Sequence, residues 1–278
     1  FLVERIAEAH RGDLELAEAF ELDPGCIEAG AALVDSFVAD ERFDDAAPVL
    51  KNLVENEKDE AKRAQYAATL AGIYLDKLAD GQLAFEYARK SLDLAPQNAE
   101  TAELLCKAAE SCDKFEDAVA LLREATGKID RDDKAPRRAL MLLAATVLDR
   151  QLSSYDEAEK MYLRILEENE SDLESMRLLA RLYQKDEKWE RLVNVYEQIV
   201  EGAEDDEEKR SLLMEAAQIV EIELGDKRRA SGLYARALDK FPEEIEAYKR
   251  LEELYFDLGE WEKLADVIRR EFAHITSM

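Results

Sequence analysis

The chain has 278 residues, 47% of them hydrophobic, with only 10 Gly and 5 Pro and a formal net charge of −27 at pH 7. The acidity is even, 18 Lys+Arg against 31 Asp+Glu in residues 1–139 and 20 against 34 in the remainder, so it belongs to the whole surface rather than to a tail. A field of that sign repels phosphate backbones and anionic lipid, which excludes nucleic acid and membrane surfaces as partners and favours basic or apolar ones.

No run approaches the roughly 20 apolar residues of a membrane span, and no signal peptide opens the chain. Cys26, Cys106 and Cys112 form no CxxC pair and leave an odd count, as expected in a reducing, cytoplasmic setting. A chain that starts at Phe1 rather than Met is expected to be a fragment or a processed product.

Residues 1–24 read as a leading helix or truncated hairpin, closed by Leu22, Asp23 and Pro24, since Pro after the last periodic residue is a stop signal. From Ile27 apolar residues recur at helical spacing: Leu33, Val34 and Phe37, a polar turn, then Phe43, Ala46, Leu50 and Leu53. Pro48 is expected in the first turn of that second helix, where its missing N–H costs little. The small or apolar residue that opens each second helix recurs at Ala46, Ala84, Ala118, Ala158, Leu192, Ala230 and Leu264, with gaps of 38, 34, 40, 34, 38 and 34. A fixed period of this length marks a repeat array. Pairs of gaps sum to 72 or 74, so the duplicated unit is two hairpins. Odd hairpins carry an aromatic three residues before the opener, at Phe43, Phe115, Trp189 and Trp261, expected to plug the stack. Even hairpins carry a longer turn with Leu78, Leu152 and Leu224. The expected repeats span about 27–62, 63–97, 98–134, 136–171, 172–206, 208–243 and 244–276.

These residues resemble the tetratricopeptide repeat, whose signature runs through an aromatic, Leu, a small residue, Tyr, then Ala, an aromatic and a closing Pro. Met176, Leu179, Ala180, Tyr183, Leu192, Tyr196 and Ile199 match in one hairpin; Tyr248, Leu251, Tyr255, Leu264 and Ile268 match in the last, with Glu252 at a small-residue position. Ala230, Tyr234, Ala237 and Pro242 keep the second half of the signature. The resemblance implies an all-α fold: an α-solenoid of about seven helix-turn-helix hairpins behind a leading helix, wound as a right-handed superhelix with first helices lining a concave groove. Ala71, Cys106, Ala145, Ala180 and Ala217 would admit close approach of first helices, and Tyr74, Tyr183, Tyr196 and Tyr255 would fill space between hairpins. Phe1, Leu2 and Val3 at one end, and Val267, Ile268, Phe272 and Ile275 at the other, look under-covered, which fits either excision from a longer array or end-to-end association.

Little in the residues points to chemistry. His10 and His274 stand at opposite ends, no Gly-rich phosphate loop or GxSxG elbow is present, and no catalytic, cofactor or metal residue is assigned. Cys106 occupies a packing position and reads as a structural thiol. The run Glu204 to Glu208 reads as a solvated helix N-terminus or, alternatively, a dock for a basic partner.

Carried over residue by residue, the resemblance puts Arg177, Arg181 and Lys185 in the groove, a basic ladder spaced i, i+4, i+8 on one helix face. Leu142, Thr146 and Arg150 from the hairpin before, and Met214 and Gln218 from the hairpin after, would complete a mixed basic and apolar floor for an acidic, extended or helical segment of a partner protein. The alternative is that the three cations neutralise neighbours such as Glu174 and Asp149. Charge reversal at Arg177 and Arg181 is expected to weaken binding without lowering the melting temperature. The expected function is a non-enzymatic scaffold or adaptor; a spacer or oligomerisation segment, and a regulatory module of a multidomain enzyme, are the rival readings.

Overall fold

The computed structural model describes residues 16–20 and 22–277, leaving out the side chains of residues 275 and 277. Phe1, Leu2, Val3, His10 and most of the expected leading helix lie outside the described residues. Residues 16–20 are helical, and the segment closes before Pro24 with the Asp23 carboxylate accepting from Gly25 N–H at 3.0 Å. Phe20 packs where Gly30 has no side chain: a Cβ at Gly30 would lie 2.8 Å from the Phe20 ring.

Fourteen further helices follow among the described residues, and no strand. They form seven hairpins: α1 (Ile27–Ala39) with α2 (Phe43–Asn56), α3 (Glu60–Asp76) with α4 (Gly81–Leu94), α5 (Ala99–Cys112) with α6 (Phe115–Lys128), and α7 (Lys134–Arg150) with α8 (Tyr155–Glu168). Then come α9 (Leu173–Lys185) with α10 (Trp189–Gly202), α11 (Asp206–Ile222) with α12 (Lys227–Lys240), and α13 (Ile245–Leu258) with α14 (Trp261–Ser277). None of the described helices is long and apolar enough to cross a membrane. This is an all-α solenoid architecture, in which each hairpin buries its apolar faces against the next rather than around one central core.

The chain divides into two compact units, one running to Met161 and the other from Tyr162, with the division inside α8. In the first, α1 to α7 pack each on the next in sequence, and the first helices α3, α5 and α7 also touch in succession. That close approach is made by small residues: Ala71, Ala108, Ala109 and Ala145 are fully buried. In the second unit α9 to α14 pack in sequence, and one buried cluster joins Val200 of α10, Leu213 of α11, Ala237 of α12 and Phe241 just after α12. Burying side chains of this size is worth about 1.5–3 kcal/mol each, which is why helices too short to be stable alone persist in the stack.

The repeat shows most clearly at the second helices. Ala46, Ala84, Ala118, Ala158, Leu192, Ala230 and Leu264 are each the fourth residue of their helix, and the first six are wholly buried. Five residues before each of these, every hairpin turn holds one residue at positive φ: Glu41, Ala79, Asp113, Ser153 and Glu187 at 50–57°, and Gly225 and Gly259 at 67° and 70°. This left-handed residue closes the first helix. In the odd hairpins the next N–H reaches the carbonyl five behind, Arg42 to Phe37 at 2.8 Å and Lys188 to Tyr183 at 2.9 Å, a Schellman closure. In even hairpins it reaches six behind, Asp80 to Tyr74 at 2.8 Å and Asp226 to Val220 at 3.0 Å.

Several expectations change in detail. The even hairpins do have a longer turn, but most of their extra length is helix: α3, α7 and α11 have 17 residues where the odd first helices have 13 or 14. The added turn is at the N-terminus, ahead of the expected starts at 63, 136 and 208, and Asp59 and Asp205 cap two of these ends. Pro48 is not in the first turn, because α2 already begins at Phe43 and Pro48 lies inside it. The carbonyl of Asp44 therefore loses its helical donor, on an exposed flank open to solvent. The aromatics of the odd turns are not core plugs: Phe43, Phe115 and Trp189 are half-buried and Trp261 is exposed. Tyr74 stacks on Tyr87 of its own hairpin at 5.8 Å, rather than between hairpins. Val267 is buried, whereas Ile268 and Phe272 are exposed.

Candidate functional site

Helix α9 is the amphipathic element on which the expected basic ladder stands. The Asp172 carboxylate caps it by accepting from Ser175 N–H at 3.0 Å. Met176, Leu179, Ala180 and Tyr183 are buried, which turns Arg177, Arg181 and Lys185 to the exposed face. The spacing that brings four apolar residues inward is the same spacing that lines three cations outward.

The three cations are not equivalent. The Arg177 guanidinium donates from Nε and Nη2 to the two carboxylate oxygens of Glu208 on α11, at 2.7 and 2.8 Å. This fork pins one first helix to the next and satisfies Arg177. It is a neutralisation chiefly by Glu208, with the expected Glu174 adding a weaker attraction. Its hydrogen bonds hold the Arg177 pKa above, and the Glu208 carboxyl below, their usual ranges. A depressed carboxyl pKa contributes stability above the unfolded-chain value and loses it as pH falls through the folded one. Because the Arg177 side chain is 43% exposed, the pair is worth less than about 1 kcal/mol. Lys185 also has an interaction partner. Arg181 is exposed and makes no ion pair with any described residue.

The other expected floor residues separate. Met214 is partly buried against the cluster of Val200, Leu213, Ala237 and Phe241, so much of its surface is spent on the core. Gln218, one helical turn on, is exposed. Leu142, Thr146 and Arg150 belong to the first unit, on α7. Leu142 and Thr146 are half-buried, the Thr146 hydroxyl donates to the Leu142 carbonyl at 2.8 Å, and Arg150 is exposed.

A second charged junction escaped the sequence reading. Arg250 on α13 donates to Glu221 on α11 and to Glu253 at 2.7 Å, while the Tyr234 hydroxyl on α12 donates to Glu221 at 3.2 Å. Together with Arg177 and Glu208 it makes α11 an acidic rail held by cations from both neighbouring first helices. The second helices are cross-tied likewise, Arg229 to Glu190 at 2.6 Å and Arg270 to Asp239 at 2.9 Å. The only signal in the sequence is a separation of 29 to 39 residues between opposite charges, close to the repeat length, and in so charged a chain many pairs share it.

For chemistry the geometry offers little. No group of three His, Cys, Asp or Glu among the described residues is placed to hold a metal ion. Cys106 is half-buried on α5, and its thiol is pushed up to about 12 by desolvation and then by the Glu103 charge, so it carries almost no thiolate at neutral pH. The Glu204 to Glu208 run is a capped helix start: Asp205 accepts from Glu207 N–H at 3.0 Å, and Asp206 holds Lys209 at 2.8 Å.

Residues 175–210, which carry α9, α10 and the start of α11, match the family model of the tetratricopeptide repeat. That stretch is a tetratricopeptide repeat, set within a chain of seven helical hairpins. The C-terminal part of a TPR repeat-containing protein from Cytophaga hutchinsonii has the same fold, with 12% identity, a TM-score of 0.52, and coverage of 89% of this chain and 96% of that one. YrrB, described as a TPR protein with an unusual peptide-binding site, matches at 18% identity and a TM-score of 0.42 over 71% of this chain and 94% of its own. PilF of Pseudomonas aeruginosa matches at 17% identity and a TM-score of 0.42 over 88% and 99%. No curated protein matches the chain. Tetratricopeptide repeats are generally non-catalytic protein-interaction modules.

Proposed function

We propose that the chain is a tetratricopeptide-repeat protein throughout, and a non-enzymatic scaffold or adaptor that holds a segment of a partner protein on the first-helix face of its second unit. The observation that carries the reading is Arg181, exposed and without an ion pair among the described residues, in a chain of net charge −27. Elsewhere on these helices arginines are spent on neighbouring carboxylates, as Arg177, Arg250 and Arg229 are. A cation left over against that background attracts an acidic side chain, and Gln218 offers an amide to an extended backbone. Arg150 on α7 supplies a like cation in the first unit.

Panning a displayed library of short peptides on the immobilised chain tests the reading. Enriched sequences should carry acidic residues and lose retention on the Arg181→Glu protein. No enrichment, or equal retention on that variant, would sink it.

A second reading, association through the last hairpin, is favoured by one cluster of exposed apolar residues. Phe256 and Trp261 meet edge to face at 5.5 Å, and both are exposed, as are Ile268 and Phe272. Such a patch favours stacking onto a further hairpin or another copy. Light scattering over a concentration series should then show mass growth that Phe272→Lys abolishes. A constant monomer mass removes this reading.

A further inference from the structure

An open cleft of about 700 Å³ lies in the second unit, between the end of α8, the start of α9 and the end of α10, and none of Arg177, Arg181 and Lys185 is in its lining. Its floor is apolar: Leu163, Leu166, Leu173 and Met176. Its rim carries three exposed carboxylates, Glu167, Glu170 and Glu201, and no cation lines it. None of the three forms an ion pair with a described residue.

The cleft departs from the repeat at two positions. Leu163 stands five residues after the fourth residue of its helix, where four of the six other second helices carry Lys51, Arg89, Arg123 and Arg269 and the remaining two carry Glu197 and Ala235. Here an exposed leucine replaces a solvated cation. Gly202 ends α10 where α2, α4, α6 and α12 end in Asn56, Leu94, Lys128 and Lys240. A Cβ at Gly202 would lie 3.2 Å from Leu173 Cδ2, so its absence leaves that side of the floor open. Leu166 is half-buried, although its counterparts Val54, Leu92, Val200 and Leu238 are buried. A second, smaller cleft between α4 and α6 has neither property: its lining mixes Arg89 and Lys114 with Glu86 and Asp117.

We infer that the cleft is a second docking site, for a partner-protein segment presenting apolar side chains flanked by Lys or Arg. Charge complementarity selects that occupant. A second copy of this chain, at −27, and an anionic membrane are both repelled by an acidic rim. The apolar floor supplies affinity, while the three glutamates set orientation and discriminate against acidic segments.

The test uses three labelled helical peptides, one of Leu and Lys, one with each Leu replaced by Ser at the same charge, and one of Leu and Glu, read by fluorescence anisotropy. The Leu/Lys peptide should bind at least about tenfold tighter than either control. Leu163→Lys and Glu201→Lys should each weaken it by about tenfold, whereas Arg181→Glu, outside the cleft lining, should leave it within about twofold. Both new lysines replace exposed residues, so unchanged circular-dichroism melts should accompany the loss. Failure of the Leu/Lys peptide to bind, equal binding of the Ser/Lys peptide, or full binding by both lysine variants would overturn the site. None of these outcomes bears on the basic face.

Discussion

Glu252 is the residue at which the chain departs most sharply from its own repeat. The same position in α9 is Ala180, which is buried, whereas Glu252 on α13 is half-buried beside Glu271 of α14. Desolvation, and then the hydrogen-bonded and like-charged Glu271, hold the Glu252 carboxyl above its ordinary range. For an acid whose folded pKa is raised, the penalty is absent below the unfolded value, grows through the interval between the two, and is complete above the folded one. Glu252→Ala should therefore stabilise the protein at pH 7 by about 0.5–1 kcal/mol, the size of a like-charge contact between partly exposed groups. Urea denaturation at pH 7 and at pH 4 reads it: the gain should shrink at the lower pH. An equal gain at both would mean that Glu252 acts through packing rather than charge.

The hairpin turn is the element most faithfully repeated, yet its chemistry varies. Seven left-handed residues keep one register, and five of them are not glycine. A side chain in that region costs about 1–2 kcal/mol, against which Gly loses about 0.5–1 kcal/mol through the greater freedom of its unfolded chain. Ala79→Gly and Glu187→Gly, both at exposed turn positions, should each raise stability by about 0.5–1 kcal/mol, measured as a shift in the urea midpoint. A loss would mean that these side chains hold the turn by contacts of their own.

That register explains what could be read from sequence. Small and apolar residues such as Ala118, Leu192 and Ala230 are constrained by a fixed distance between helix axes, so they recur and reveal the period. The turn aromatics recur just as regularly, but at the first residue of a helix, where periodicity alone does not separate a lid from a plug; Trp189 and Trp261 proved to be lids. Pro48 misled because the helix start is set by the turn residue Glu41, seven positions earlier. The partners of Arg177 and Arg250 were hidden for another reason. Which carboxylate an arginine meets on the next first helix depends on the lateral offset of the two helices, and the 13-residue α9 faces a 17-residue α11.

At the scale of the molecule, 65 acidic against 38 basic residues leave a surface on which cations are the scarce component. Many of those cations cross-tie neighbouring helices, so an unspent one is a departure with a local meaning. The expectation that Arg177 and Arg181 could both be reversed without loss of stability does not survive this view. Arg177→Glu would face Glu208 with a second carboxylate across a short bond, and the melting temperature should fall. Arg181 is the cleaner probe. The most direct measurement is calorimetric titration of an acidic peptide, obtained by panning, into three proteins: wild type, Arg181→Glu, and Arg228→Glu as a control at an arginine on α12 whose side chain is 80% exposed and meets Glu260 only at 3.9 Å. The account predicts that affinity falls by at least about tenfold for Arg181→Glu alone, with all three melting together. Equal loss in both variants would make binding a property of net charge, and no loss in either would contradict a binding role for the face that Arg181 marks.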